Sequence, residues 1–116
     1  MAQTTILTLL PQTSHNPSVN VVRGTKQPAA SYYLANSDLQ TVSWSLNNFS
    51  GTVIIQASLV TSPNESNDSD WFNVYTNAVT STSGVFYSNI SGNFVWIRAK
   101  LSNFTQGVVQ YVKVSY

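Results

Sequence analysis

Cysteine is absent from this chain of 116 residues, so neither a disulfide nor thiol chemistry is available and nothing marks an oxidising compartment. Charge is nearly as scarce. Asp, Glu, Lys and Arg make up 8% of the residues, against roughly 25% in ordinary soluble domains. The net charge of +1 provides no long-range field to draw in a polyanion or an acidic membrane surface. Neither nucleic acid nor membrane is therefore an expected partner. His15 is the single imidazole, and no nucleophile-elbow pattern joins it to Asp38 or to a serine. The carboxylates number four, and Glu65, Asp68 and Asp70 crowd one loop, which leaves no pair to face each other across a sugar. Gly24, Gly51, Gly84, Gly92 and Gly107 are isolated, so no phosphate cradle is present. The expectation is a protein that is not an enzyme and carries no cofactor or metal.

Long apolar runs are missing too, and Met1 to Leu10 lacks the basic and apolar regions of a signal peptide. Synthesis in a cytoplasm is expected. Apolar residues nowhere recur at helical spacing over a helix's length. What is present is uncharged polarity and β-formers. Ser, Thr, Asn and Gln account for 48 residues, and aromatics for 12%, a composition rich enough in large side chains to oppose disorder.

Alternation with a period of two is clearest at the end of the chain. Val95, Ile97, Ala99 and Leu101 alternate with Phe94, Trp96, Arg98 and Lys100, and a second run follows from Val108 to Tyr116. With Ser102 to Gly107 as a turn, the two runs form a hairpin that sets Arg98 across from Tyr111 and Trp96 from Lys113. A second hairpin is expected from Leu39 to Leu46 and Gly51 to Val60, joined through Asn47 to Ser50, with Trp44 opposite Ile55. Trp71 to Ala78 and Val85 to Ile90 read as two further strands around a turn at Thr80 to Gly84. Shorter candidates are Thr4 to Leu10, Ser18 to Arg23 and Ser31 to Ala35. The whole predicts an all-β, single-domain antiparallel β-sandwich, jelly-roll-like, of eight or nine short strands, with a small barrel as the competing closure. Residues 1–30 form an N-terminal strand or attachment arm, and residues 31–116 the sandwich core. Three similar turns, Asn48 to Gly51, Asn89 to Gly92 and Asn103 to Gly107, read as recurring turn chemistry with an apolar residue capping the core.

The segment Thr61 to Asp70 is a solvated loop by composition. Asn64, Ser66, Asp68 and Asp70 alternate in a way that suits a hard cation, but the internal Gly and distant Glu of a calcium loop are missing. Five sequons, at Asn48, Asn64, Asn67, Asn89 and Asn103, follow from an Asn- and Ser-rich composition. The interface candidates are the flat and basic side chains Tyr32, Tyr33, Trp71, Tyr75, Trp96, Arg98 and Tyr111. Trp96, Arg98, Lys100, Tyr111 and Lys113 also have the residue types of a platform for single-stranded nucleic acid, though without the wider basic field that such binding needs. Low charge leaves strand edges without the lysines that blunt them, which favours a homo-oligomeric subunit.

The runs Trp44 to Leu59, Asp70-Trp-Phe72, Gly92 to Lys100 and Gly107 to Val114 resemble small all-β structural proteins of tailed bacteriophage particles, of the head-decoration, neck, baseplate or tail-fibre type. The resemblance covers roughly the last two-thirds of the chain. It implies a symmetric oligomer on a virion whose partners are other virion structural proteins. The alternative is a carbohydrate-binding sandwich that contacts a host surface glycan, with aromatic side chains as the sugar platform.

Overall fold

The computed structural model describes residues 6–30 and 39–116. Their strands are β1 (Ile6–Leu10), β2 (Thr13–Ser14), β3 (Val22–Arg23), β4 (Gln27–Pro28), β5 (Leu39–Ser58), β6 (Phe72–Ser91) and β7 (Trp96–Ser115). All pairings are antiparallel, in the order β1-β7-β5-β6, and β2, β3 and β4 pair with β7 as well. Three strands of 20 residues carry the structure. A straight strand of that length would run about 66 Å. The longest dimension of the molecule is 41 Å, so each strand bends.

The bends coincide. Register shifts cluster between Ser45 and Thr52 in β5, with one more between Ile55 and Gln56, and the positions of β6 and β7 beside the cluster are Val79 to Gly84 and Ser102 to Val109. Asn48, Ser81 and Asn103 take left-handed φ values of 52°, 45° and 49°. Such a residue inside a bulge deflects a strand without reversing it. Together the three form one crease across the sheet, and the sheet doubles over it into two facing layers. The first layer holds Leu39 to Leu46 with Gly84 to Ser91 and Val108 to Ser115. The second holds Gly51 to Ser58 with Phe72 to Val79 and Trp96 to Ser102. Trp44 of the first layer meets Tyr75 of the second with ring centres 5.2 Å apart.

This arrangement is the expected antiparallel sandwich, with seven strands among the described residues against an expected eight or nine; the expected strand Ser31 to Ala35 lies outside the described residues. The correction concerns the hairpins. Asn47 to Ser50, Thr80 to Gly84 and Ser102 to Gly107 are bends within continuous strands, and each expected pair of strands is one strand crossing from layer to layer. Trp44 accordingly lies between Phe86 and Val112, while Ile55 lies between Tyr75 and Ala99. Asn89 to Gly92, the third look-alike turn, ends β6 instead of bending it.

The core fills the fold. Val42, Trp44, Leu46, Val53, Ile55, Ile97, Ala99, Leu101, Val109, Val112 and Val114 are buried in one cluster, and the crease is packed by Phe49 against Phe104, 5.1 Å apart. His15 is half-buried with its ring 5.6 Å from Phe104. Gly107 has φ +87°, and a Cβ there would lie 2.1 Å from the Asn48 carbonyl oxygen, so the crease needs glycine at this point.

Residues Ile6 to Pro28 run back along the outer side of β7. β1 and β2 pair with its second half and β3 and β4 with its first. Gln27 donates to the Thr8 carbonyl at 3.1 Å, and the Tyr116 hydroxyl to the Pro28 carbonyl at 2.8 Å, which ties the two layers at this edge. Opposite, Gln40 is fully buried; it accepts from the Ala30 amide and donates to the Ile90 carbonyl.

Candidate functional site

The outer faces of the two layers differ. In β7, Ile97, Ala99 and Leu101 point into the core, so alternation turns Trp96, Arg98 and Lys100 outward on the second layer. In an ordinary sandwich that face meets water. Here the loop Thr61 to Asp70 lies over it. Arg98 has no exposed surface. Its Nε donates to Gln56 Oε1 at 2.8 Å, Nη1 to the Glu65 carbonyl at 3.0 Å, and Nη2 to the Asn67 carbonyl at 3.0 Å and to Asp68 Oδ1 at 2.9 Å. Trp71 stacks on the guanidinium at 4.1 Å, and its indole N–H donates to the Asn64 carbonyl at 2.8 Å. Trp96 Nε1 donates to the Thr61 carbonyl at 2.9 Å. A planar fork reaches carbonyl, carboxylate and amide acceptors at once, which a lysine cannot do.

Asp68 is the electrostatic centre of this face. Arg23 Nε approaches it at 3.0 Å, Arg98 at 2.9 Å, and Lys100 also pairs with it. Burial alone would raise its carboxyl, but hydrogen bonds from Arg23 and Lys100, reinforced by their charges, hold it down to about 2. Burial draws Arg98 below its ordinary value while Asp68 pulls the other way. Lys26 pairs with Glu65 at 3.7 Å. The loop that composition marks as solvated is thus internally partnered. Asn64 Oδ1 accepts from the Ser66 amide, Asp70 Oδ2 from the Asn64 amide, and Asp68 faces the three cations. Among the described residues, Lys113 is the one charged side chain outside this cluster and its loop.

Among the described residues, no loop covers the first layer's outer face in this way. Register sets Ile6, Ser115, Thr41 and Asn89 in one row, Thr8, Lys113, Ser43 and Tyr87 in the next, and Tyr111, Ser45 and Val85 in a third. Thr41, Ser43, Tyr111 and Lys113, with Ile6 at one side, line a shallow depression of about 270 Å³. Lys113 Nζ sits 4.7 Å from the Tyr111 ring centre. Tyr87 is 70% exposed, Val85 and Ile6 are each 65% exposed, and Leu39 is exposed beside them. A second depression, about 460 Å³, lies along the crease between Ser50, Val79, Ser81, Asn103 and Gln106. Gln106 Nε2 there donates to Asn48 and to the Ser81 hydroxyl.

The interface candidates are therefore divided. Arg98 and Trp71 lie inside the protein and anchor its loop, because the sheet face they occupy is covered. Tyr75 packs on Trp44, and Trp96 is half-buried with Lys26 4.7 Å from its ring centre. Tyr111 alone stands on the open face, and Tyr32 and Tyr33 lie outside the described residues. The five residues of the nucleic-acid platform are split between opposite outer faces. The expected neighbours Arg98 with Tyr111 and Trp96 with Lys113 are not neighbours; Arg98 instead meets Trp71, and Lys113 meets Tyr111 two residues along the same strand. Sequence reasoning missed Tyr87 and Val85, although their alternation with Phe86 places them on the face away from the core.

β6 adds the other open feature. It pairs with β5 on one side, and among the described residues no strand pairs with its other side. Its 20 residues include no charge and no proline. No family model and no curated protein matches the chain. Solved structures similar to it include a family 29 carbohydrate-binding module from Piromyces equi, at 10% identity over 97% of this chain and 91% of that chain, with a TM-score of 0.49. The Bacillus endospore appendages, described as disulfide-linked pili, match at 11% identity over 99% of this chain and 90% of that chain, with a TM-score of 0.41. A chain of infectious bursal disease virus, Gx strain, matches at 12% identity over 98% of this chain and 32% of that chain, with a TM-score of 0.42. The chain is similar to each and is assigned to none of their families.

Proposed function

We propose that this protein is a non-enzymatic structural subunit of a tailed-phage virion, which assembles with copies of itself and with neighbouring capsid, neck or tail proteins. The observation that carries the reading is the side of β6 that no strand among the described residues pairs with, a 20-residue edge with no charged residue and no proline. Monomers blunt such edges with Lys, Pro or a covering segment. Here Ile6 to Pro28 covers the opposite edge, on β7, and most of the chain's charge is gathered around Asp68. The exposed Val85 and Tyr87 on the same strand supply apolar contact area. The phage-like strand patterns around Trp44 and Trp96 add the particle to this reading. Light scattering coupled to size exclusion across a concentration series tests it. A discrete oligomer is expected, and a 12.7 kDa monomer at every concentration overturns it.

The depression on the open face favours a second reading, a module for a host glycan. Ser43 and Thr41 provide hydroxyls in it, Lys113 a donor and Tyr111 a flat ring, and Tyr87, the cross-strand neighbour of Ser43, adds an exposed ring on the same face. Retention on a glycan array that disappears in both Tyr87→Ala and Tyr111→Ala supports this reading. Absence of retention on any glycan removes it.

A further inference from the structure

We infer that β6 pairs antiparallel with β6 of a second copy, about a two-fold axis at Thr82, to give a sheet that runs through both molecules along a shared crease. The inference rests on the subunit reading above and specifies its first contact. An axis perpendicular to a sheet keeps every side chain on its own face, so it must pass between one residue and the same residue of the other copy. The bend restricts which residue this is. β6 spans Phe72–Ser91; one bulge lies at Val74, between the pairs Ile55 with Tyr75 and Gln56 with Asn73, and the bulge at the crease lies at Thr80 and Ser81, between the pairs Gly51 with Val79 and Phe49 with Thr82. Thr82 is thus both the first paired residue after the bend and next to the strand's midpoint.

Pairing centred there superposes the two creases, and both layers of one copy continue into the layers of the other. A register displaced by several residues would set a bent segment beside a straight one and leave half the edge unpaired. Charge makes a second copy the fitting occupant. In a two-fold contact each charge near the axis meets its own like, and β6 has none from Phe72 to Ser91. Serines, threonines and asparagines make up half of the strand.

The natural lack of cysteine permits a direct test in the full chain. Thr82→Cys and Asn89→Cys are each treated with a short bismaleimide, and Thr82→Lys and Thr82→Val are sized by light scattering. The expected result is efficient cross-linking at position 82 and at least tenfold less at position 89, whose two copies lie tens of ångströms apart along the paired strands. Thr82→Val remains oligomeric. Thr82→Lys, with its fold checked by circular dichroism, loses the β6 contact because two ammonium groups face each other. Cross-linking at 89 with none at 82, or an oligomer that folded Thr82→Lys leaves intact, overturns the pairing but leaves the subunit reading standing. A monomeric wild type at every concentration overturns both.

Discussion

The Arg98 guanidinium carbon lies 4.1 Å from the centre of the Trp71 ring, beneath a loop whose carbonyls accept from the same guanidinium. This contact turns a strand face into an interior. It also explains how a charge-poor chain keeps a fully buried cation, since four oxygen acceptors and one ring replace its water.

Arg98→Ala should destabilise the fold by about 3–5 kcal/mol, the usual consequence of breaking a buried pair and orphaning its acceptors. Arg98→Lys should recover little of this loss, because an ammonium cannot reach Gln56 and Asp68 together with the loop carbonyls. Urea denaturation gives the magnitude. Red-shifted tryptophan emission and faster proteolysis within Thr61 to Asp70 report the loop's release.

Asp68 governs a pH dependence of known sign. Its carboxyl is held at about 2 in the folded protein, below its ordinary value of 3.8, so its contribution is complete above pH 4 and is lost as pH falls toward 2. The side chain is 36% exposed. Solvent screening therefore limits the contribution to about 1 kcal/mol. The stability difference between wild type and Asp68→Asn, measured from pH 6 to pH 2, should shrink across that window. A difference that stays constant would show that the three cations do not act through this carboxylate.

Trp44 is buried with an indole N–H that finds no acceptor. Replacing it by Phe sacrifices packing area but removes an orphaned donor worth about 1–3 kcal/mol. Trp44→Phe should therefore stay within about 1 kcal/mol of wild type, while Trp44→Ala should cost about 3–5 kcal/mol through the cavity it opens between the layers. Thermal and chemical denaturation of the two variants makes the comparison.

The crease offers a backbone test. Gly107→Ala combines a left-handed φ with a Cβ driven toward the Asn48 carbonyl, and should cost about 3 kcal/mol or more. Asn103→Gly, at φ 49°, should be neutral within about 0.5 kcal/mol, whereas Asn103→Val should cost about 1–3 kcal/mol. Equal melting temperatures for the Gly and Val variants would contradict a left-handed bend at this position.

On the open face, Val85→Ala and Tyr87→Ala should each change monomer stability by less than about 0.5 kcal/mol, since both side chains are largely in solvent. Under the proposed function, both should raise the concentration at which the oligomer forms, which sedimentation velocity would detect.

Local patterning by itself determined the β class of the chain and, within the regular runs, which residues face the core. Val42, Trp44 and Leu46, then Val53 and Ile55, then Ile97, Ala99, Leu101, Val112 and Val114, are inward in the sequence pattern and inward in the fold, because a pleated strand alternates wherever it goes. The Asn-Phe-hydroxyl stretches at Asn48 and Asn103 announced a break in regularity for the same local reason. Whether such a break reverses the chain or only bends it was decided by the neighbours. Ser50 opposite Gln106 and Phe49 opposite Thr82 align three bends into one crease, and that alignment requires all three strands at once. Exposure was likewise a tertiary matter. Arg98 and Tyr111 both alternate outward on the same strand, yet a loop some 30 residues earlier in the chain covers the first face and leaves the second open. The edge of β6 that no described strand pairs with arises in the same way, since strand order is set by which edges the N-terminal segment and β5 occupy and not by anything within β6 itself.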